Sequence, residues 1–118
     1  MKSVLIVDDS RTSRRLLKDI LEKAGYEVAG EAINGQEGFD MFVKLKPDVV
    51  TMDITMPGVD GIECLKLIRV HDPEAKVVMI TAAGQKEKMM EAVKFGAAEF
   101  ITKPFMEESV LSAIRHCT

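Results

Sequence analysis

The chain has 118 residues, 47% of them hydrophobic and 30% charged, with a formal net charge of -3, which suits one globular domain over residues 1–118 with a sizeable core. The charge balance and the absence of a basic stripe with interleaved aromatics argue against direct nucleic-acid binding, since the cluster Arg11, Arg14, Arg15, Lys18 is confined to one predicted helix. No apolar run is long enough to span a membrane, and Cys64, Cys117, His71 and His116 stand in no zinc-ligand spacing, so reduced thiols in a cytoplasmic protein are expected.

In chain order, five short apolar runs alternate with five helical patterns, as in an α/β domain. The first run, Val4 to Val7, ends in Asp8-Asp9. Leu16, Leu17, Ile20, Leu21 and Ala24 then recur at helical spacing, and Lys23 with Gly25 closes the helix. A second strand is expected near Val28 to Ala32. Asn34 with Glu37 opens the second helix in capping-box spacing, Phe39, Phe42 and Val43 supply its inward stripe, and Pro47 stops it. The third run, Val49 to Met52, ends in Asp53, and a turn-rich loop, Met56 to Gly61, follows. Asp60 and Glu63 repeat the capping spacing before Ile62, Leu65 and Ile68. The fourth run, Val77 to Ile80, ends in Thr81. Met89, Met90 and Val93 mark one side of the next helix, which Lys94 and Gly96 close. The fifth, Phe100 to Thr102, meets Lys103-Pro104, and Glu107 and Glu108 open a last helix with Val110, Leu111 and Ile114 inward. That helix reaches almost to Thr118, so no output domain is expected within these residues.

Buried parallel strands present the groups at their carboxyl ends to one crevice. Asp8, Asp9, Asp53, Thr81 and Lys103 would therefore meet at a single rim. Adjacent carboxylates suit Mg²⁺, which takes hard oxygen ligands, and crowded acids without a cation repel one another. Phosphoryl transfer asks mainly for positioning and charge neutralisation, and a carboxylate can be the nucleophile. Asp53, alone on its strand, is the expected acceptor; Asp8 and Asp9 are the expected metal pair. Lys103 would neutralise a phosphoryl oxygen and Thr81 donate to another.

The segments VLIVDDS, TMDITMPGVDG, MITA and FITKPF, in that order and across essentially the whole chain, resemble the receiver domains of two-component response regulators, most closely the single-domain chemotaxis members. The resemblance implies a doubly wound, flavodoxin-like α/β fold, with five parallel strands in the order 2-1-3-4-5 and five helices. It implies that Asp53 takes a phosphoryl group from a histidine kinase with Mg²⁺ held by Asp8, Asp9, Asp53 and the backbone carbonyl of Thr55. Thr81 and Lys103 would sense that group, Pro104 would follow a cis peptide bond, and Phe100 would be the aromatic switch residue, without the phenolic hydroxyl many members carry. Thr55 and Ala83 fall at the two places that tune phosphoryl loss; neither is acidic or amide-bearing, so slow loss is expected. The response would pass to a target protein on the face made by the fourth helix, fifth strand and fifth helix, where Lys86, Lys88, Met89, Met90 and Ile101 are expected. Arg14 and Arg15 are candidates for docking the kinase. A monomer is expected, either stand-alone or the receiver of a longer regulator, and no enzyme beyond assisting its own phosphorylation and dephosphorylation.

Two other readings compete. A Mg²⁺-dependent aspartyl-phosphate phosphohydrolase resembles D-x-D-x-T at its first strand and carries a cap insertion, whereas the acids here are adjacent and no insertion exists. A flavodoxin-like cofactor binder needs a loop rich in Ser, Thr and Gly, and the first loop here is acidic.

Overall fold

The computed structural model describes residues 2–82 and 84–118. Its elements alternate strictly: β1 (Ser3–Val7), α1 (Arg11–Lys23), β2 (Glu27–Ala32), α2 (Gly35–Leu45), β3 (Val49–Asp53), α3 (Gly61–His71), β4 (Val77–Thr81), α4 (Lys86–Lys94), β5 (Glu99–Thr102) and α5 (Glu107–Cys117). All strand pairings are parallel and the sheet order is β2-β1-β3-β4-β5. This is the doubly wound fold expected from the sequence.

The apolar runs are continuous because both faces of the sheet are covered. Alternate residues of β1 divide between two cores. Leu5 and Val7 pack with Val50, Met52, Phe42, Ile62, Leu65 and Ile68, on the α2, α3 and α4 side. Val4 and Ile6 pack with Val49, Val78, Ile80, Leu17, Leu21, Val110 and Ile114, on the α1 and α5 side. The chain runs outward from β1 to β2, then crosses back to β3 on the other side of β1. The carboxyl ends of β1 and β3 thus flank the topological switch point, where such sheets open a crevice.

Local chemistry fixes the helix ends. Asn34 Oδ1 accepts from Glu37 N at 2.8 Å while Glu37 Oε1 accepts from Ile33 N at 3.2 Å, and Asp60 Oδ1 accepts from Glu63 N at 3.0 Å. Helices α1 and α4 both end in a Schellman turn. Tyr26 N donates to Leu21 O and Gly25 N to Glu22 O; Ala97 N donates to Ala92 O and Gly96 N to Val93 O. Gly25 and Gly96 take the positive φ that this turn requires, 92° and 93°.

Several side chains read as inward face solvent instead. Leu16 and Val43 are 48% and 37% exposed, and Ala24 is exposed as the cap residue of α1. On helix α4, Met90 is 62% exposed, as a docking face there requires, Val93 is 52% exposed, Met89 is half-buried, and Ala92 is the one fully buried residue. Periodicity marks an apolar stripe but not how wide a stripe the sheet can cover. Beside the short edge strand β5, only a narrow one is covered.

Candidate functional site: an acidic crevice at the strand ends

Asp8 directly follows β1 and is fully buried; Asp53 ends β3 and is 7% exposed. Asp9 is exposed. One carboxylate oxygen from each of the three lies within 4.8 Å of the other two. The two neighbouring aspartates therefore have different surroundings. Asp8 Oδ1 accepts from Ser10 N at 2.8 Å and its Oδ2 from Lys103 Nζ at 3.2 Å, whereas Asp9 lies open to solvent.

Lys103 directly follows β5, and its peptide bond to Pro104 is cis. Its ammonium lies 3.2 Å from Asp8 and 3.5 Å from Asp53, bridging the two buried acids. It does not neutralise them fully. Burial, and next the Asp8 charge, push the Asp53 carboxyl up to about 6, against the pull of Lys103. A bound divalent cation would relieve both causes, and the three carboxylates are hard oxygen donors of the kind such a cation takes. The residues present fit a metal on these grounds of charge, spacing and donor type.

Backbone packing behind Asp53 is tight. A Cβ built on Gly61 would stand 2.0 Å from Asp53 O, and Gly61 N donates to Ile54 O at 2.9 Å. Helix α3 therefore begins directly against the residue that carries the central carboxylate. A residue larger than glycine would push the two apart.

At the other side of the crevice, Thr81 ends β4 and is 3% exposed. Its Oγ1 lies 3.1 Å from Ala82 O and 3.1 Å from Gln85 Oε1. Gln85 Oε1 also accepts from Ala82 N at 2.8 Å, and Gln85 Nε2 donates to Thr55 Oγ1. Gln85 belongs to none of the sequence motifs that mark the site. Neither Thr55 nor Ala83 bears an amide; Ala83 lies outside the described residues, and at Thr55 the fold brings an amide in from 30 positions away. A polar residue at the foot of α4 was a visible signal, but its direction was not.

Arg14 was also read differently from sequence. Its guanidinium donates to Asp8 O at 2.8 Å and to Glu31 Oε1 at 3.3 Å, and its side chain is only 15% exposed. It braces the acidic loop from α1 and is not a free docking cation, while Arg15 is exposed. On β5, alternation sends Ile101 into the core at 4% exposure and leaves Phe100 47% exposed. Ile101 therefore leaves the expected docking face. Phe100 on β5 and Met90 and Val93 on α4 are exposed apolar side chains.

Among known proteins, the model of the response regulator receiver domain matches residues 4–115. The chain is 53% identical over 113 residues to the Chemotaxis protein CheY of Thermotoga maritima, covering 96% of this chain and 94% of that one. It is 50% identical over 113 residues to the CheY of Halobacterium salinarum, covering 96% and 93%. Among solved structures, a response regulator receiver domain protein from Clostridium thermocellum superposes with a TM-score of 0.94 at 30% identity, covering 99% of this chain and 94% of that one. The CheX-CheY-BeF3-Mg+2 complex from Borrelia burgdorferi contains a chain that matches with a TM-score of 0.91 at 36% identity, covering 96% and 86%. With a parallel sheet in the order 2-1-3-4-5, an acidic crevice at its switch point and these relatives, the chain belongs to the response regulator receiver family.

Proposed function

We propose that this protein is a phosphorylation-activated response regulator of the chemotaxis type, in which Asp53 accepts a phosphoryl group from a histidine kinase. The observation that carries this reading is the setting of Asp53. It is a nearly buried carboxylate within 4.8 Å of two others, with a lysine ammonium 3.5 Å away. In the transfer, the carboxylate oxygen of Asp53 forms a bond to phosphorus as the phosphorus–nitrogen bond to the donor histidine breaks, and the imidazole recovers a proton. Asp8, Asp9, Asp53 and the Thr55 carbonyl would hold Mg²⁺, the ion in the Borrelia complex. The ion supplies positive charge that offsets charge gathering on the phosphoryl oxygens.

Lys103 binds the phosphoryl group as a point charge and in doing so leaves Asp53. Thr81 turns its hydroxyl to the new acceptor. A phosphoryl group adds about -1.5 to -2 charge and three strong acceptors, so both residues have a reason to move. Phe100 then turns inward, and the face of α4, β5 and α5 is presented to a target protein. The reaction is stoichiometric: the protein assists its own labelling and loss of label and turns over no separate substrate. The relatives named for chemotaxis support the process, and a monomer in the cytoplasm is the state we assign. No described helix is long and apolar enough to cross a membrane.

Labelling with acetyl phosphate and Mg²⁺ tests the reading. The wild-type chain should gain one phosphoryl group, lost on chelation of the metal beforehand, and Asp53→Asn should gain none. Continuous release of phosphate from a stable ester would instead favour a phosphohydrolase, and label retained in Asp53→Asn would remove Asp53 from the centre of the mechanism.

A further inference from the structure

We infer that Gln85 is a latch that holds the resting state: one amide oxygen occupies donors of the β4–α4 loop that an acceptor bound at Asp53 must win. The inference rests on the phosphoryl reading of the site and adds to it a positioning residue that acts through Thr81.

The hydrogen bonds fix how the amide is turned. A backbone N–H can only donate, so the atom 2.8 Å from Ala82 N is the amide oxygen. The other end, Nε2, then donates to Thr55 Oγ1. Thr81 Oγ1 faces the same oxygen at 3.1 Å and must be the donor there. A hydroxyl has one proton. While that proton points at Gln85 Oε1 or Ala82 O, it is withheld from Asp53.

Gln85 is also the residue that precedes α4, and its side chain makes no capping bond to that helix. The amide is spent on Thr55, after β3, and on Thr81 and Ala82, after β4. When Thr81 turns to a phosphoryl oxygen, the oxygen of Gln85 loses one of its two donors, and the tie between the loop and the foot of α4 loosens. The same event that satisfies the phosphoryl group thus frees the first turn of a helix with one fully buried residue. A cleft of about 270 Å³ beside Thr81, lined by Gln85, Lys86, Met89 and Thr102, gives those side chains room to shift.

The test is binding of beryllofluoride, a phosphoryl mimic, with Mg²⁺ present, followed by amide resonances of the intact chain. Gln85→Met keeps the length of the side chain but removes the amide; Gln85→Ala removes both. Each should bind about threefold to tenfold more tightly than wild type, the range expected from losing one competing hydrogen bond. Gln85→Glu keeps an acceptor oxygen and should bind no more tightly than wild type. In a Thr81→Ala background the gain from Gln85→Met should fall below about twofold, since the latch acts through that hydroxyl. Wild-type binding unaccompanied by any gain in Gln85→Met or Gln85→Ala overturns the latch alone, as does an undiminished gain without Thr81. A wild-type chain that binds no beryllofluoride overturns the phosphoryl reading and the latch with it.

Discussion

Helices α3 and α4 pack on the same side of the sheet, and both begin at the crevice, but they are anchored differently. Helix α3 is capped by Asp60, buries Gly61, Ile62, Cys64, Leu65 and Ile68, and starts against the backbone of Asp53. Helix α4 has nine residues, buries Ala92, and begins at a glutamine whose side chain serves the site. Apolar burial at about 25 cal/mol per Å² ties the first helix down and leaves the second marginal. The carboxylate of Asp53, the proposed acceptor, thus sits on the firm side of the crevice. The hydroxyl and the exposed apolar face that would report its state sit on the loose side. A switch needs both, because a rigid centre fixes the chemistry and a weakly held element gives two arrangements of similar energy.

The sharpest way to break this comparison is at two glycines. Gly61→Ala would set a Cβ 2.0 Å from Asp53 O, a clash with backbone that no rotamer relieves. It should cost more than about 3 kcal/mol in urea unfolding or prevent folding outright. Gly84, before α4, has φ of +88° with nothing within 4 Å of its Cβ position. Gly84→Ala should cost only about 1 kcal/mol, the strain of the left-handed conformation. Equal costs at the two would mean that α3 and α4 are held alike.

Next in size is the charge stored on the firm side. The Asp53 carboxyl rises from 3.8 to about 6 on folding, chiefly through burial. Between those values the folded chain holds more proton than the unfolded one, so without a cation stability rises as pH falls through about 6 toward 4. Converted through linkage, the ionised carboxylate costs on the order of 2–3 kcal/mol at neutral pH. In chelator at pH 7.5, Asp53→Asn should therefore be more stable than wild type by up to about that amount. The gap should close near pH 4 and shrink on adding Mg²⁺. Parallel urea titrations check this; a gap that is independent of both pH and metal would mean that Asp53 is well solvated.

Caps give a smaller contrast. Asp60→Ala removes the bond to Glu63 N and should cost about 1 kcal/mol. Gln85→Ala removes no bond to its own helix; its cost of about 0.5–1.5 kcal/mol comes from the bonds to Thr81, Ala82 and Thr55, so Thr81→Ala should absorb part of it and leave the Asp60→Ala cost untouched. Thermal melts at matched pH are enough to separate them.

What the sequence made legible follows the same division. Strand runs, the N-caps at Asn34 and Asp60, and the convergence of Asp8, Asp9, Asp53 and Lys103 were all readable, because each depends on local pattern plus one topological rule. Residues whose role depends on where a long side chain is aimed were not. Arg14 read as a free surface cation and proved to hold Asp8 O; Gln85 passed unnoticed because its partners lie on two other loops. Apolar periodicity in α4 marked one side with Met89, Met90 and Val93 but could not say whether that side is core or docking surface; Met90 and Val93 are exposed. Periodicity reports what a helix offers, and the breadth of the sheet decides how much is taken.

That open side of α4 yields the smallest effect and the most direct test of the loose side. Val93 is 52% exposed and Met90 62%, so truncating either to alanine removes little contact and should shift stability by less than about 0.5 kcal/mol. Fully buried Leu65, on α3, should cost 2–5 kcal/mol when truncated in the same way. If Val93→Ala matched Leu65→Ala in urea unfolding, α4 would be core and could not serve as the mobile half of a switch. If it left stability unchanged, the apolar exposure at Met90, Val93 and Phe100 would have no structural use in the isolated chain. It would then be surface held for a partner, and the same truncation should weaken target binding by the phosphorylated chain far more than it disturbs the fold.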